Sequence, residues 1–211
     1  MNNFFRTTAL AAAVAAATLS GGAHAASVVF ASASFVDESV SNGDYYIDNT
    51  RYLGAIFTIS TAEQLSAIGG NFTQYGDGNA IFGAIVPVAP GAALPGDIAA
   101  HAVASTVFTP TGGDQTAAII GVLTPGTYAL VFGSGLYGTS GESGLVSGQL
   151  PIGTPTFVQY GSSGGALTAS AFTDDTLRVM VLATPVPEPS MAALWAGGAL
   201  MLAWASRRRT P

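Results

Sequence analysis

Between residues 26 and 183 the chain reads as short apolar segments that alternate with polar positions and are separated by clusters of Gly, Asn, Asp and Pro. Ser27 to Phe35 opens with Val28-Val29-Phe30, Leu53 to Ile59 carries Ile56, Phe57 and Ile59, and Asn79 to Val88 carries Ile81, Phe82, Ile85 and Val86. Val103 to Phe108, Ala117 to Val122, Gly126 to Phe132, Thr156 to Tyr160 and Thr176 to Leu182 continue the series. Each is rich in β-branched and aromatic residues and bounded by turn residues, which predicts strands. Their number and spacing predict an all-β body, an antiparallel two-sheet sandwich of jelly-roll-like character. In Leu123-Thr124-Pro125-Gly126-Thr127-Tyr128, Pro-Gly makes a turn and Tyr128, Leu130 and Phe132 then fall on one face of a central strand.

One segment breaks the period of two. Ser60-Thr61-Ala62-Glu63 has the spacing of a helix capping box, Leu65 and Ile68 sit three apart, and Gly69-Gly70 follows. This predicts a short helix crossing an open end of the sheets.

The two ends have a different texture. Residues 1–25 carry one arginine, Arg6, then an Ala-rich apolar run from Thr7 to Leu19, Ser20-Gly21-Gly22 and Ala23-His24-Ala25, the layout of a secretory signal peptide. Ala23 and Ala25 fit the shallow pockets of signal peptidase, so the mature chain is expected to start at Ala26. From residue 184 the text reads Thr184-Pro185-Val186-Pro187-Glu188-Pro189-Ser190, an uncharged stretch from Met191 to Ala205, Ser206 and Arg207-Arg208-Arg209. The prolines keep the backbone extended, so helix can begin only after Pro189, with Ser190 as N-cap. At ~1.5 Å per residue such a helix spans roughly 23 Å, a marginal crossing of a ~30 Å hydrocarbon layer. Trp195 and Trp204 near its ends suit the membrane interface, and the arginine triplet would stay in the cytoplasm and leave the body outside.

The elements Val186-Pro187-Glu188-Pro189-Ser190, the apolar helix and Arg207-Arg208-Arg209 resemble a PEP-CTERM sorting signal, known from Gram-negative bacteria that make exopolysaccharide. The resemblance covers residues 184–211 and implies an exosortase, a membrane cysteine protease, as partner. Pro187, Glu188 and Pro189 would then be the recognition and cleavage element, and Arg207, Arg208 and Arg209 the stop-transfer anchor. It further implies three regions: a signal peptide (1–25), an exported sandwich (26–183) and the sorting tail (184–211). The protein would sit in the inner membrane with its body in the periplasm, then at the cell surface or outside the cell.

Composition narrows the chemistry. The chain has 12 Asp and Glu against 6 Arg and Lys, and the body retains only Arg51 and Arg178 as cations. Such a surface repels phosphate backbones, which argues against nucleic acid as a partner. There is no cysteine, so neither disulfides nor thiol catalysis enter. Gly133-Ser134-Gly135-Leu136-Tyr137-Gly138 matches a dinucleotide-binding glycine pattern but runs on into more Gly and Ser, and is read as a flexible loop. Gly161-Ser162-Ser163-Gly164-Gly165 has nucleophile-elbow spacing, with His101 and Asp174 as the partners it would need, but no helical segment follows it. The body is therefore read as no enzyme, with no cofactor unless calcium binds. The calcium candidates are Asp37, Glu38, Asp44 and Asp48, whose alternative role is turn capping. Tyr45, Tyr46, Tyr52, Tyr75, Tyr137 and Tyr160 could stack on sugars or line the core. The expected function is a non-catalytic surface or matrix protein of an exopolysaccharide or biofilm layer. The alternative is a secreted carbohydrate-binding module, with or without calcium.

Overall fold

The computed structural model describes residues 25–34, 43–75, 78–89, 95–163, 166–172 and 176–186. Residues 1–24, Asp37, Glu38, Asp77, Asp174, Asp175 and the tail from Pro187 onward, with the predicted membrane helix, lie outside them. Ala25 is described, and a compact unit runs from Ala25 to Pro185.

In chain order its elements are β1 (Ser27–Ala31), β2 (Ala33–Ser34), β3 (Asp44–Ile47), β4 (Arg51–Ile59), β5 (Glu63–Gln74), β6 (Ile81–Pro87), α1 (Ile98–His101) and β7 (Ala104–Phe108). They continue with β8 (Gly113–Leu123), β9 (Gly126–Gly133), β10 (Ser143–Val146), β11 (Leu150–Pro151), β12 (Thr156–Ser163), β13 (Ala166–Phe172) and β14 (Val179–Pro185). Two six-stranded sheets result. In the first, β1 pairs with β14 and β14 with β5; in the second the order is β13-β12-β4-β9-β6-β7. All of these ladders are antiparallel.

The period of two does the sorting. Leu53, Ala55, Phe57 and Ile59 of β4, Leu130 and Phe132 of β9, and Val179, Val181 and Ala183 of β14 meet Leu65, Ile68, Phe72 and Ile119 in one buried cluster between the sheets. Phe72 and Phe132 meet edge to face there, with ring centres 5.0 Å apart. The opposite face of the second sheet is apolar too. Tyr52, Phe82, Ala84, Val86, Val131, Val158 and Tyr160 are buried there together with Ile98 of α1, and Leu136 packs against them. At the entry to β9 the Tyr128 hydroxyl donates to the Thr124 carbonyl at 2.9 Å, locking the Pro-Gly turn onto the strand it feeds.

The predicted helix over 60–70 is a strand. Residues Glu63–Gln74 form β5, the longest strand described, with β14 on one edge and β8 on the other. Thr61 does reach Glu63, its hydroxyl donating to Oε1 at 2.9 Å, but the pair opens a strand instead of capping a helix. The three-residue spacing of Leu65 and Ile68 has a different cause. The ladders slip at Ser66, and this bulge changes the phase so that both side chains reach the core. Gly69-Gly70 is likewise no helix stop: a Cβ on Gly69 would run into the Gln115 carbonyl of β8, and one on Gly70 would lie 2.9 Å from the Arg178 carbonyl. Backbone bonds on both edges outweigh a local preference of a few tenths of a kcal/mol per residue.

Phe72 pairs with Gly113 of β8 and with Leu145 of β10, so these two strands occupy opposite edges of β5. It follows that β10 continues the edge on which β14 lies. Because β10 also pairs with β3, it forms a bridge between β3 and the end of β5.

Candidate functional site: a tyrosine and carboxylate cluster beside a polar cavity

At this bridge the register sets Tyr46 of β3 directly opposite Gly144 of β10. Asp44 and Tyr46 are two apart on β3 and so share a face, while Tyr45 turns the other way and stacks on Phe172 with ring centres 5.9 Å apart. Tyr75 follows immediately after β5. Its hydroxyl donates to Asp44 Oδ2 in a short hydrogen bond. The rings of Tyr46 and Tyr75 lie 5.4 Å apart, tilted by 55°. Gly144 leaves room for this arrangement, because a Cβ there would sit 2.7 Å from Asp44 Oδ2 and 3.1 Å from the Tyr75 ring. Asp44, Tyr46 and Tyr75 are half-buried.

Hydrogen bonding toward Glu142, burial and the nearby charges of Glu142 and Asp48 push the Tyr46 phenol up to about 12. Burial, the bond to Asp44 and the charges of Asp44 and Tyr46 push Tyr75 up to about 12 as well. Both phenols are therefore proton donors throughout the neutral range, not bases or nucleophiles.

Glu142 also borders a cavity of about 170 Å³ lined by Asp48, Asn49, Ser134, Thr139 and Ser140. Asp48 shapes the rim. Its Oδ1 accepts from the Thr50 amide at 2.6 Å, the Thr50 hydroxyl at 2.7 Å and the Arg51 amide at 2.8 Å. Burial works to raise this carboxyl, but the hydrogen bonds from Thr50 and Arg51 outweigh it and leave it below the usual aspartate value. The Gly-rich stretch read above as a flexible loop also lines the cavity, and it is tied down. The Ser134 amide donates to the Asp48 carbonyl at 3.2 Å, the Thr139 hydroxyl to the Leu136 carbonyl at 2.7 Å and the Gly141 amide to the Ala80 carbonyl at 2.8 Å. Gly135, Tyr137 and Gly138 take positive φ, and no helix follows them. The dinucleotide pattern thus lacks the helix N-terminus it needs.

The other sequence candidates separate. Tyr52 and Tyr160 are buried on the back of the second sheet, and Tyr137 lies edge-on to Phe82 with ring centres 5.4 Å apart. His101 ends α1, its Nδ1 2.8 Å from the Asp97 carbonyl oxygen; the Ser163 side chain and Asp174 lie outside the described residues. Of the calcium candidates, Asp44 is bound to Tyr75 and Asp48 to its own turn, and among the described residues no three His, Cys, Asp or Glu side chains converge as a metal site. Glu142 and Gly144 are the participants that sequence reasoning missed, since both sit in Gly-Ser text without periodicity. Among the described residues no helix is long and apolar enough to cross a membrane. The chain matches no protein-family model and no curated protein.

Proposed function

We propose that this chain is an exported bacterial surface or matrix protein without catalytic activity, and that the segment from Pro187 to Arg209 is its sorting signal. One observation carries the reading: the compact unit starts at Ala25 and stops at Pro185, at the borders of the two segments that resemble targeting signals. Its first and last strands are also neighbours, with Ser27 opposite Ala183, so both targeting segments join the body at one end of one sheet. Signal peptidase would cut after Ala25, and an exosortase would act near Pro187-Glu188-Pro189 while Met191 to Ala205 and the arginine triplet hold the chain in the inner membrane.

The test is replacement of Pro187, Glu188 and Pro189 by alanine in a host that makes an exosortase. The expected outcome is full-length protein retained in the inner-membrane fraction; release equal to that of the unmodified protein would overturn the sorting role. Sequencing of the mature N-terminus is expected to begin at Ala26.

A further inference from the structure

We propose that the rim of the sandwich formed by β7 and β8 binds a second copy of this chain, with β8 pairing antiparallel to β8 across a two-fold axis. β8 bonds to β5 along one edge, and among the described residues no ladder occupies its other edge. β7 ends the second sheet in the same way, bonded only to β6. The two strands lie against each other, since a Cβ on Gly121 of β8 would sit 3.0 Å from Ala104 Cβ of β7. Large apolar side chains stand exposed along this rim: Ile120 at 88% and Val122 at 58% on β8, with Val107 on β7 and Val103 just before it. A free edge is a row of unpaired amides and carbonyls, and native proteins guard such rows with charge, proline or a bulge. From Gln115 to Leu123 and from Ala104 to Phe108 there is no charge and no proline. The register against β5 does slip, Ile119 and Ile120 both facing Ser66, but burial in β8 alternates without a break across the slip. The strand therefore keeps one outward row, Thr116, Ala118, Ile120 and Val122.

The chemistry of the rim selects a second copy over other strands. An antiparallel edge is its own complement: turned about a two-fold axis, the donors of one copy meet the acceptors of the other. With the axis at Ile119, Ala118 would face Ile120 of the second copy and Thr116 its Val122, so each large side chain lies beside a smaller one. Charge points the same way. The body's only cations are Arg51 and Arg178, and Arg178 is paired with Asp114 at 2.7 Å, so two copies repel wherever their carboxylates approach. The uncharged rim is where that repulsion is least, and pairing there also covers Ile120 and Val122. Each copy spends its one free β8 edge in the contact, so association closes at two.

The proposal does not rest on the sorting tail, and its test uses the purified full chain in a mild detergent. Sedimentation velocity, with bound detergent subtracted, is expected to show a dimer that dissociates on dilution. Ile120→Asp and Val122→Asp, at exposed positions that leave the fold intact, should each weaken it at least about tenfold. Because the chain has no cysteine, a single introduced thiol reports proximity. A short bis-maleimide should link Ala118→Cys or Ile120→Cys into dimers under conditions that leave Val28→Cys unlinked, Val28 being exposed on β1 at the other border of the same sheet. This gives a second measurement should an aspartate variant fail to fold. Four results would overturn the proposal: a monomer at every concentration reached, a spread of higher oligomers, cross-linking of Val28→Cys as readily as of Ile120→Cys, or a dimer undiminished by Ile120→Asp and Val122→Asp together in protein with native circular dichroism, which would place the contact on the tail or on another face.

Discussion

Replacing Gly69 with alanine tests the placement of residues 60–70 as a strand between β8 and β14. In β5 the new methyl would be driven into the Gln115 carbonyl, with Thr116 Cγ2 at 2.9 Å and its Cα at 3.1 Å, and neither backbone can retreat without breaking the ladder from Glu63 to Phe72. Overpacking of this kind costs typically 1–3 kcal/mol, of which the lower chain entropy of alanine returns about 0.5–1. The net expectation is a loss of about 0.5–2 kcal/mol. For a domain of this size that lowers Tm by roughly 1–8 °C, at 2–4 °C per kcal/mol. Thermal and urea unfolding followed by circular dichroism would report it, with the urea slope unchanged. A Tm equal to or above that of the parent would refute the placement of Gly69 between β8 and β14, and with it the account of the bulge at Ser66.

Three further outcomes follow from the same contacts. Arg178→Ala removes a bidentate pair to Asp114 and a bond to the Ala33 carbonyl, and urea denaturation should show a loss of about 1–3 kcal/mol; a change under about 0.5 would contradict the partly buried geometry. Tyr46 and Tyr75 should ionise near pH 12 in the folded protein against about 10 when unfolded. Because the folded values are raised, their contribution to stability is complete below pH 10 and lost between about 10 and 12. Phenolate absorbance should show both late titrations, with Glu142→Gln moving the Tyr46 midpoint downward. Tyr128→Phe deletes the hydroxyl bond to Thr124 and should cost about 1 kcal/mol, read as a shift in the urea midpoint; no shift would mean that the turn holds without it.

The strands with strong alternation were legible because their inner faces are filled by residues of one kind: Leu53, Phe57, Leu130, Phe132 and Val181 all reach the core the pattern assigns. Legibility failed where tertiary pairing overrides local spacing. Leu65 and Ile68 mimic a helix face because of a bulge that exists only when β8 and β14 are both in place. The tyrosine and carboxylate cluster shows the same limit. Tyr46 and Tyr75 could each be named from composition, and an alternation of Asp44 and Tyr46 was there to be read, but their meeting depends on β10, whose residues Ser143 to Val146 carry almost no strand signal of their own. Asp44 and Tyr75 are joined across 31 positions by a register that no local pattern encodes.

The seat of β14 has a mechanical consequence. It is an inner strand, bonded to β1 from Ser27 to Ala31 and to β5 along its whole length, and the chain leaves the body at its end. A tug on the connecting segment along the strand's axis therefore loads two rows of hydrogen bonds at once, in shear, where a strand on the rim of the sheet would peel away bond by bond. Pulled from that end, the body should therefore yield at a higher force than one held by a rim strand.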